Sequence, residues 1–519
     1  MTRISLAALL LWLASGAWPG ACIPGLPPPD AEQPRRPALR LPALRAEPDP
    51  VAGGRIVDAH GREVLLRGVN VNAFVEYWAY DPALFTTYPF PPADADAIAG
   101  MGWNVVRLLL SWSRVEPAPG VYDEAYLDTV EAAVRTLEQR GIYTLIDLHQ
   151  DAWSATLAAR PGEACTAGPP AFGWDGAPAW ATQDGGEPRC AALEIRELSP
   201  AVLAAFDAFW RDAPGPGGVG IRTRYARMLA HLAARFSRLD AVAGYDLMNE
   251  PNAYTRVDVL DDFIAEALAA IRAAETGAGH PHRLVFFEPS ILWAGFGTGA
   301  PAPFPADDQI VYAPHVYQGG LDGQPLDAAV FARARSEAAA YGGAPVFSGE
   351  WGGDPGRASD PADGYFERHQ SLQDAFRFGA TLWTWREACG DPHKAGDARA
   401  GRVPEVWGLF AVDCARNEIL GPREDLVAAL RRPALRAAPG PIEAVAWDPA
   451  AGRFVASGTD ARPGRSFFVF WPAGLGTSPR ITSTGLRGVH GVAAPGGSRF
   501  VAGWARGGRW SLAIEAQVP

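Results

Sequence analysis

The sequence predicts an α/β fold, a (β/α)8 TIM barrel followed by a small C-terminal all-β domain, on three observations. Eight short apolar, β-rich runs alternate with amphipathic helical stretches, as in parallel strands joined by helices. Two of the runs end abruptly in a glutamate. Beyond residue 433 the helical periodicity stops, and short β-like runs between glycine- and proline-rich turns take over, which reads as a sandwich.

The candidate strands lie at 64–71, 105–109, 143–148, 242–248, 284–287, 310–314, 345–349 and 380–385. Helical runs at 124–140, 222–235, 257–274, 328–341 and 365–378 separate them. Two long insertions, 150–200 after the third strand and 386–420 after the eighth, belong at the end of the barrel where such enzymes place their chemistry, and should wall a substrate cleft. The expected organisation is a signal peptide over 1–21, a proline-rich tether over 22–50, the barrel over 51–432 and the β-sandwich over 433–519. The tether is expected because residues 23–50 carry nine prolines and no apolar periodicity.

The N-terminus has one basic residue, Arg3, an apolar run over 4–14 and then small residues up to Cys22, the pattern of an export signal. Gly20-Ala21-Cys22 is similar to a lipoprotein processing site, with Pro19 where an aliphatic residue is usual, so Cys22 is a candidate lipidation site. A secreted or cell-envelope location follows. The other four cysteines, Cys165, Cys190, Cys389 and Cys414, fall into two pairs, each spaced by 25 residues. In an exported protein that suggests the disulfides 165–190 and 389–414, with other pairings formally open.

A net charge of −12 without a cluster of basic residues argues against nucleic acid as a partner. Lys394 is the only lysine, which leaves Schiff-base chemistry no other candidate. There is no His-Glu-x-x-His, no paired Cys-x-x-Cys, no Gly-x-Ser-x-Gly elbow and no phosphate-cradling glycine loop. The expectation is a hydrolase with no cofactor and no metal, acting as a monomer.

The strongest motif is Tyr245-Asp246-Leu247-Met248-Asn249-Glu250-Pro251-Asn252, an apolar strand that delivers a carboxylate to the barrel mouth. The second is Val346-Phe347-Ser348-Gly349-Glu350-Trp351-Gly352. Two facing carboxylates are what glycoside cleavage needs: one protonates the departing oxygen, the other attacks the anomeric carbon, and a gap of about 5–5.5 Å predicts retention of configuration. Glu250 is read as acid/base, with its pKa raised by desolvation and repulsion, and Glu350 as nucleophile. Arg107, inside an apolar run, requires a carboxylate partner, for which Glu350 is the natural candidate, supporting the nucleophile's charge. His149 and Asp151 after the third strand, His315 and Tyr317 after the sixth, and Trp383 on the eighth are candidate sugar-binding residues. Core packing is the competing reading for the histidines and the tryptophan. Trp78, Phe85, Trp153, Phe172, Trp174 and Trp180 are candidates for an apolar side of the cleft.

Together, Asn249-Glu250-Pro251, His315-x-Tyr317, Glu350-Trp351-Gly352 and Trp383 resemble glycoside hydrolase family 5. Asp147-Leu148-His149-Gln150-Asp151-Ala152-Trp153-Ser154 and Trp383-Thr384-Trp385-Arg386-Glu387, with the terminal β domain, resemble its endoglycoceramidase-related branch. The resemblance covers residues 51–519. It implies a retaining (β/α)8 enzyme in which Asn249 binds the hydroxyl beside the anomeric carbon, His149, Asp151 and Trp383 contact the adjacent sugar, and Tyr317 supports the nucleophile. One departure stands out: endoglycoceramidases carry a lysine in the loop after the first strand, whereas residues 72–80 here have only Glu76 as a charged residue. The implied substrate is a glycolipid, with association at a membrane surface through an anchor or an apolar cleft rim. A hydrolase of soluble β-glucans or mannans, or a non-catalytic carbohydrate-binding protein, are the alternatives.

Overall fold

The computed structural model describes residues 40–166, 168–254, 256–321, 325–353 and 364–517. The signal peptide expected over 1–21 and Cys22 lie outside the described residues. The chain enters through β1 (Leu44–Glu47), β2 (Arg55–Asp58) and β3 (Glu63–Val64). The barrel strands follow as β4 (Arg67–Phe74), β5 (Val105–Ser111), β6 (Tyr143–His149), β7 (Val242–Asp246), β8 (Leu284–Phe287), β9 (Ile310–Tyr312), β10 (Phe347–Trp351) and β11 (Gly379–Leu382). They form one parallel sheet in the order β10-β11-β4-β5-β6-β7-β8-β9. A parallel bridge between Tyr312 and Val346, with Tyr312 N donating to the Pro345 carbonyl at 2.9 Å, brings its two edges together.

Most of these strands are buried along their whole length, which is why they read as continuous apolar runs rather than alternating ones. The helices between them cover the outside. Glu124–Glu138 is typical: the Asp123 carboxylate caps it by accepting from Tyr126 N, and Tyr126, Leu127, Val130, Val134 and Leu137 recur at helical spacing on its buried face.

The first expected strand, 64–71, is displaced toward the C-terminus, the observed one being Arg67–Phe74. Glu63–Val64 pairs with the C-terminal part of the chain, and the barrel strand begins at Arg67. The tether expected over 22–50 is likewise corrected at its end. Leu44 and Ala46 of β1 are buried with Ile56, Leu66, Leu145, Phe286 and other residues near the strand starts, so this segment forms the barrel's floor.

After an antiparallel hairpin of β12 (Phe410–Asp413) and β13 (Glu418–Pro422) come β14 (Ala434–Ala438), β15 (Ile442–Asp448), β16 (Arg453–Ala461), β17 (Ser466–Trp471), β18 (Arg480–Thr484), β19 (Leu486–Ala493), β20 (Arg499–Ala505) and β21 (Gly508–Glu515). One sheet runs β1-β2-β3-β14-β17-β20-β19 and the other β15-β16-β21-β18. Their facing sides share a core of Leu435, Val469, Trp471, Phe454, Leu512 and Ile514 among others, the sandwich arrangement. Strands β1–β3, the first three among the described residues, therefore extend the C-terminal sheet, so the sandwich is built from segments on both sides of the barrel in sequence.

Glu63 sits at this junction, 4% exposed, with Oε2 accepting from Ile442 N at 2.8 Å. Burial pushes its pKa up to about 7, against the pull of that N–H and of Arg377 and Arg55. A raised carboxyl pKa gives stability that is complete below the unfolded value and lost as pH rises through the folded one. Between pH 5 and pH 8 the wild type is expected to lose on the order of 3 kcal/mol that Glu63→Gln keeps. Urea midpoints of the two proteins should diverge over that interval; parallel pH profiles would refute the assignment.

Both expected disulfides are formed, Cys165–Cys190 and Cys389–Cys414, with Cα separations of 5.6 and 5.4 Å. Each staples one of the two insertions. The insertions also touch: the Arg399 guanidinium lies 3.7 Å from the Phe172 ring centroid and donates to the Pro170 carbonyl at 2.6 Å.

Candidate active site

Arg107 is the centre of the site. It is fully buried, and its guanidinium donates to Asp246 (3.0 Å, from β7), Asp147 (2.8 Å, from β6), Glu288 (3.0 Å, after β8) and Glu350 (2.9 Å, from β10). It also donates to the side-chain oxygens of Asn70 and Asn249 at 3.1 and 3.0 Å. The single partner expected for Arg107, Glu350, is thus one of four carboxylates. One cation cannot neutralise four buried acids, and burial raises three of them despite Arg107: Asp147 to about 6, Asp246 to about 6 and Glu288 to about 8.

Glu350 receives two donors, Arg107 Nη1 on Oε1 and the Tyr317 hydroxyl on Oε2 at 2.8 Å. Glu250 stands just past the end of β7 with a left-handed backbone, φ +39°, a strained conformation for a side-chain-bearing residue. Its turn is held from both sides. Gln150 Nε2 donates to the carbonyls of Asn249 and Glu250 at 2.7 and 3.1 Å, and the Glu288 carboxylate accepts from Glu250 N at 2.9 Å. One carboxylate oxygen each from Glu250 and Glu350 and a ring nitrogen of His315 lie within 4.8 Å of one another. That spacing matches the short separation of a retaining pair rather than the wider gap of an inverting one.

His315 joins the two carboxylates electrically. Its Nδ1 is 2.9 Å from Glu250 Oε1 and 3.6 Å from Glu350 Oε2, and its Nε2 approaches Glu288 Oε1 at 3.1 Å, an ion-pair contact that falls outside hydrogen-bond geometry. Burial opposes protonation of the ring, but Glu288, Glu350 and Glu250 outweigh it and raise its pKa well above the usual histidine value. Glu250 moves the opposite way from expectation. Burial raises it, but the His315 hydrogen bond and charge, with Arg196 and His149, hold it below the ordinary glutamate value. Desolvation and repulsion were the forces legible in the sequence; the facing cation was not.

The remaining expected residues gather on one side. The His149 ring stacks on Trp383 at 5.4 Å with 16° between planes, its Nδ1 is 2.8 Å from Asp147 Oδ2, and its buried Nε2 has no hydrogen-bond partner. Burial lowers its pKa to about 4, so the ring is neutral at neutral pH, and its Nε2 lies 3.8 Å from Asp151 Oδ2. Asn249 is tied at both ends, accepting from Arg107 and donating to the Gln150 carbonyl at 3.0 Å, which leaves one Nδ2 hydrogen.

Asp151 accepts from Arg196 Nη2 at 3.1 Å and lies 3.4 Å from His393 Nε2. Arg196 and His393 come one from each disulfide-stapled insertion and both pack against Trp174, whose ring centroid is 3.7 Å from the guanidinium carbon and 4.8 Å from the imidazole. Neither was legible in the sequence, since the insertions have no periodicity that orients a side chain. Glu288 could have been found: Leu284–Phe287 is an apolar run that ends in a glutamate, the signal that marked Glu250 and Glu350. The sole lysine enters from the loop after β11, buried, with Nζ 3.2 Å from Glu387 Oε2 and 5.6 Å from the Trp407 ring centroid. Glu76, in the loop after β4, is exposed.

Of the aromatic residues expected to form an apolar cleft wall, Trp153 (1% exposed) and Trp174 (5%) are core, and Trp180 packs against Trp112. Only Phe85 of that group is largely exposed. Among the described residues, three groups have the spacing to hold a metal ion: Glu250–His315–Glu350, Asp147–Asp246–Glu288 and Glu387–Asp391–His393. The first two surround His315 and Arg107, and Lys394 pairs with a member of the third, so side-chain cations already serve these acids.

Residues 57–388 match the model of the Cellulase (glycosyl hydrolase family 5) family. Endoglycoceramidase I of Rhodococcus hoagii (strain 103S) is 30% identical over 298 residues, 54% of each chain, so this chain matches about half the length of that relative. The crystal structure of an endogalactoceramidase superposes with a TM-score of 0.80 at 35% identity, covering 91% of this chain and all of that one. Endo-glycoceramidase II from Rhodococcus sp., solved as a ganglioside GM3 complex, gives a TM-score of 0.67 at 26% identity over 89% of this chain and 99% of that one. The chain belongs to glycosyl hydrolase family 5, in its endoglycoceramidase-related branch.

Proposed function

We propose that this protein hydrolyses the β-glycosidic bond between a sugar headgroup and a lipid aglycone, with retention of configuration. The observation that carries the chemistry is the short gap between Glu250 and Glu350 at the mouth of the barrel. Glu350 attacks the anomeric carbon as Glu250 gives its proton to the departing oxygen, and the lipid alcohol leaves. Water then attacks the same carbon, Glu250 takes its proton, and the bond to Glu350 breaks. Arg107 and Tyr317 hold the nucleophile's two oxygens in place through both steps. His149, Asp151 and Trp383 line the sugar side, and Asn249 is the candidate donor to the hydroxyl beside the anomeric carbon.

The lipid half of the reading rests on what the barrel mouth exposes. Loops that follow barrel strands lie at the C-terminal end of a barrel. Those after β4, β6, β7, β8 and β11 carry Phe85 (57% exposed), Leu193 (79%), Tyr254 (43%), Phe296 (79%) and Val403 (76%). Apolar side chains held in water around a polar pocket suit a substrate with a sugar at one end and a hydrocarbon at the other. Relatives whose names specify ceramide-linked sugars point the same way. Export is part of this reading, supported by two disulfides and the N-terminal signal pattern, with anchoring at Cys22 as its membrane-proximal form.

Incubation with glucosylceramide, galactosylceramide, steryl glucoside and cello-oligosaccharides, followed by mass spectrometry, is expected to show free sugar and intact lipid. Proton NMR of the first-formed sugar should show the β anomer. Cleavage confined to the cello-oligosaccharides would replace the glycolipid reading with that of a soluble-glucan hydrolase.

A further inference from the structure

The proposed mechanism asks Glu250 to arrive at the substrate protonated, yet in the free enzyme Glu250 is the acid that His315 and Arg196 hold ionised. The group hydrogen-bonded to its carboxylate is His315, with Nδ1 2.9 Å from Oε1. We propose that Glu288 is a positioning residue for acid catalysis: through its contact with His315 it keeps at the site the proton that Glu250 delivers to the glycosidic oxygen. The proposal rests on the assignment of Glu250 as acid.

The geometry places one imidazole between two carboxyl groups, hydrogen-bonded to Glu250 and in ion-pair contact with Glu288. Glu288 Oε1 is 3.1 Å from His315 Nε2, and His315 Nδ1 is 2.9 Å from Glu250 Oε1, so one imidazole links two carboxyl groups. The other oxygen of Glu288 accepts the backbone N–H of Glu250 at 2.9 Å, which fixes the strained residue relative to the same ring. Glu288 is 4% exposed and His315 3%, and no substrate atom needs to touch Glu288 for it to act.

Around the pair stand Arg107 from β5, Asp147 from β6, Asp246 from β7, Glu250 after β7 and Glu350 from β10. Carboxylates outnumber cations there, so the pair retains a proton through neutral pH, in line with the elevated pKa values of both members.

When a sugar fills the site, the Nδ1 proton passes to Glu250 Oε1 and from there to the leaving oxygen as the C–O bond breaks. In the second half-reaction the proton taken from water returns to Glu250 and back to Nδ1. No net proton is consumed in the cycle.

The test separates acid catalysis from structural support by the leaving group. A 2,4-dinitrophenolate departs without a proton, whereas a ceramide alkoxide does not. Glu288→Gln is expected to lose about 10²-fold in kcat/KM on a ceramide-linked substrate. It should stay within about threefold on the 2,4-dinitrophenyl β-glycoside of the same sugar, a result that also shows the variant folded. Its alkaline limb of kcat/KM should fall by about one pH unit, and Glu288→Asp, which keeps the charge, should keep the limb in place. Equal losses on both substrates, or an unmoved limb, overturn the proposal. Glu250→Ala run in parallel tells the two levels apart. If it too loses equally on both substrates, the acid assignment fails; if it spares the dinitrophenyl glycoside and Glu288→Gln does not, only Glu288's role falls.

Discussion

Glu350→Gln is expected to lower turnover of the glycolipid by on the order of 10⁴-fold or more while leaving substrate affinity nearly unchanged. The amide keeps the shape of the carboxylate and can still accept from Arg107 or Tyr317, which now hold its two oxygens. It cannot form the glycosyl bond. Loss of kcat with a preserved dissociation constant, measured by calorimetry on a detergent-dispersed glycolipid, separates this outcome from a general collapse of the site. A variant that still turns over within tenfold would move the nucleophile elsewhere.

The second large effect is on folding. Arg107→Met is expected to cost about 3–5 kcal/mol at pH 8, because it strips the cation from carboxylates that have no exposure with which to recover hydration. The sign of the pH dependence follows. Asp147 and Asp246 sit near 6 and Glu288 near 8 even with Arg107 present. Without it their folded pKa values rise further, so the variant's stability is greatest at low pH and falls as the pH climbs through those values. The deficit against wild type should therefore shrink between pH 8 and pH 6 in urea titrations. A constant deficit would mean that lost packing, not unpaired charge, sets the cost.

The barrel was legible because a strand buried on both faces leaves an unbroken apolar run, and the runs at 105–109, 143–148 and 284–287 coincide with β5, β6 and β8. The same signal misled at the first strand. Val64, Leu65 and Leu66 are as apolar as Val69 and Val71, but they serve the floor and the sandwich, and burial alone does not say against what. The strand Leu44–Glu47 was unreadable for another reason: four residues between prolines are too few to establish alternation, although Leu44 and Ala46 do alternate inward.

In the site, residues placed by strand ends could be named, since the end of a barrel strand fixes both position and direction. His315 on Glu250 could not be foreseen, because the contact joins the ends of β7 and β9, which are not neighbours in the sheet. The charge on Glu250 was misjudged for that reason. Arg196 and His393 depend on how two irregular insertions fold against each other, which no local pattern encodes.

The sheet that joins the beginning of the folded chain to its end limits how this enzyme can be cut. β3 hydrogen-bonds to β14, so the sandwich holds one edge of the strands whose side chains close the barrel floor. Removing residues beyond 433 would leave β3 as a bare edge and uncover Leu65, which packs in the sandwich core. Domain boundaries drawn by function would thus divide a single folding unit. A minimal catalytic fragment would have to be redesigned at its N-terminus, and a protease nick between barrel and sandwich would leave the two pieces associated rather than release an active core.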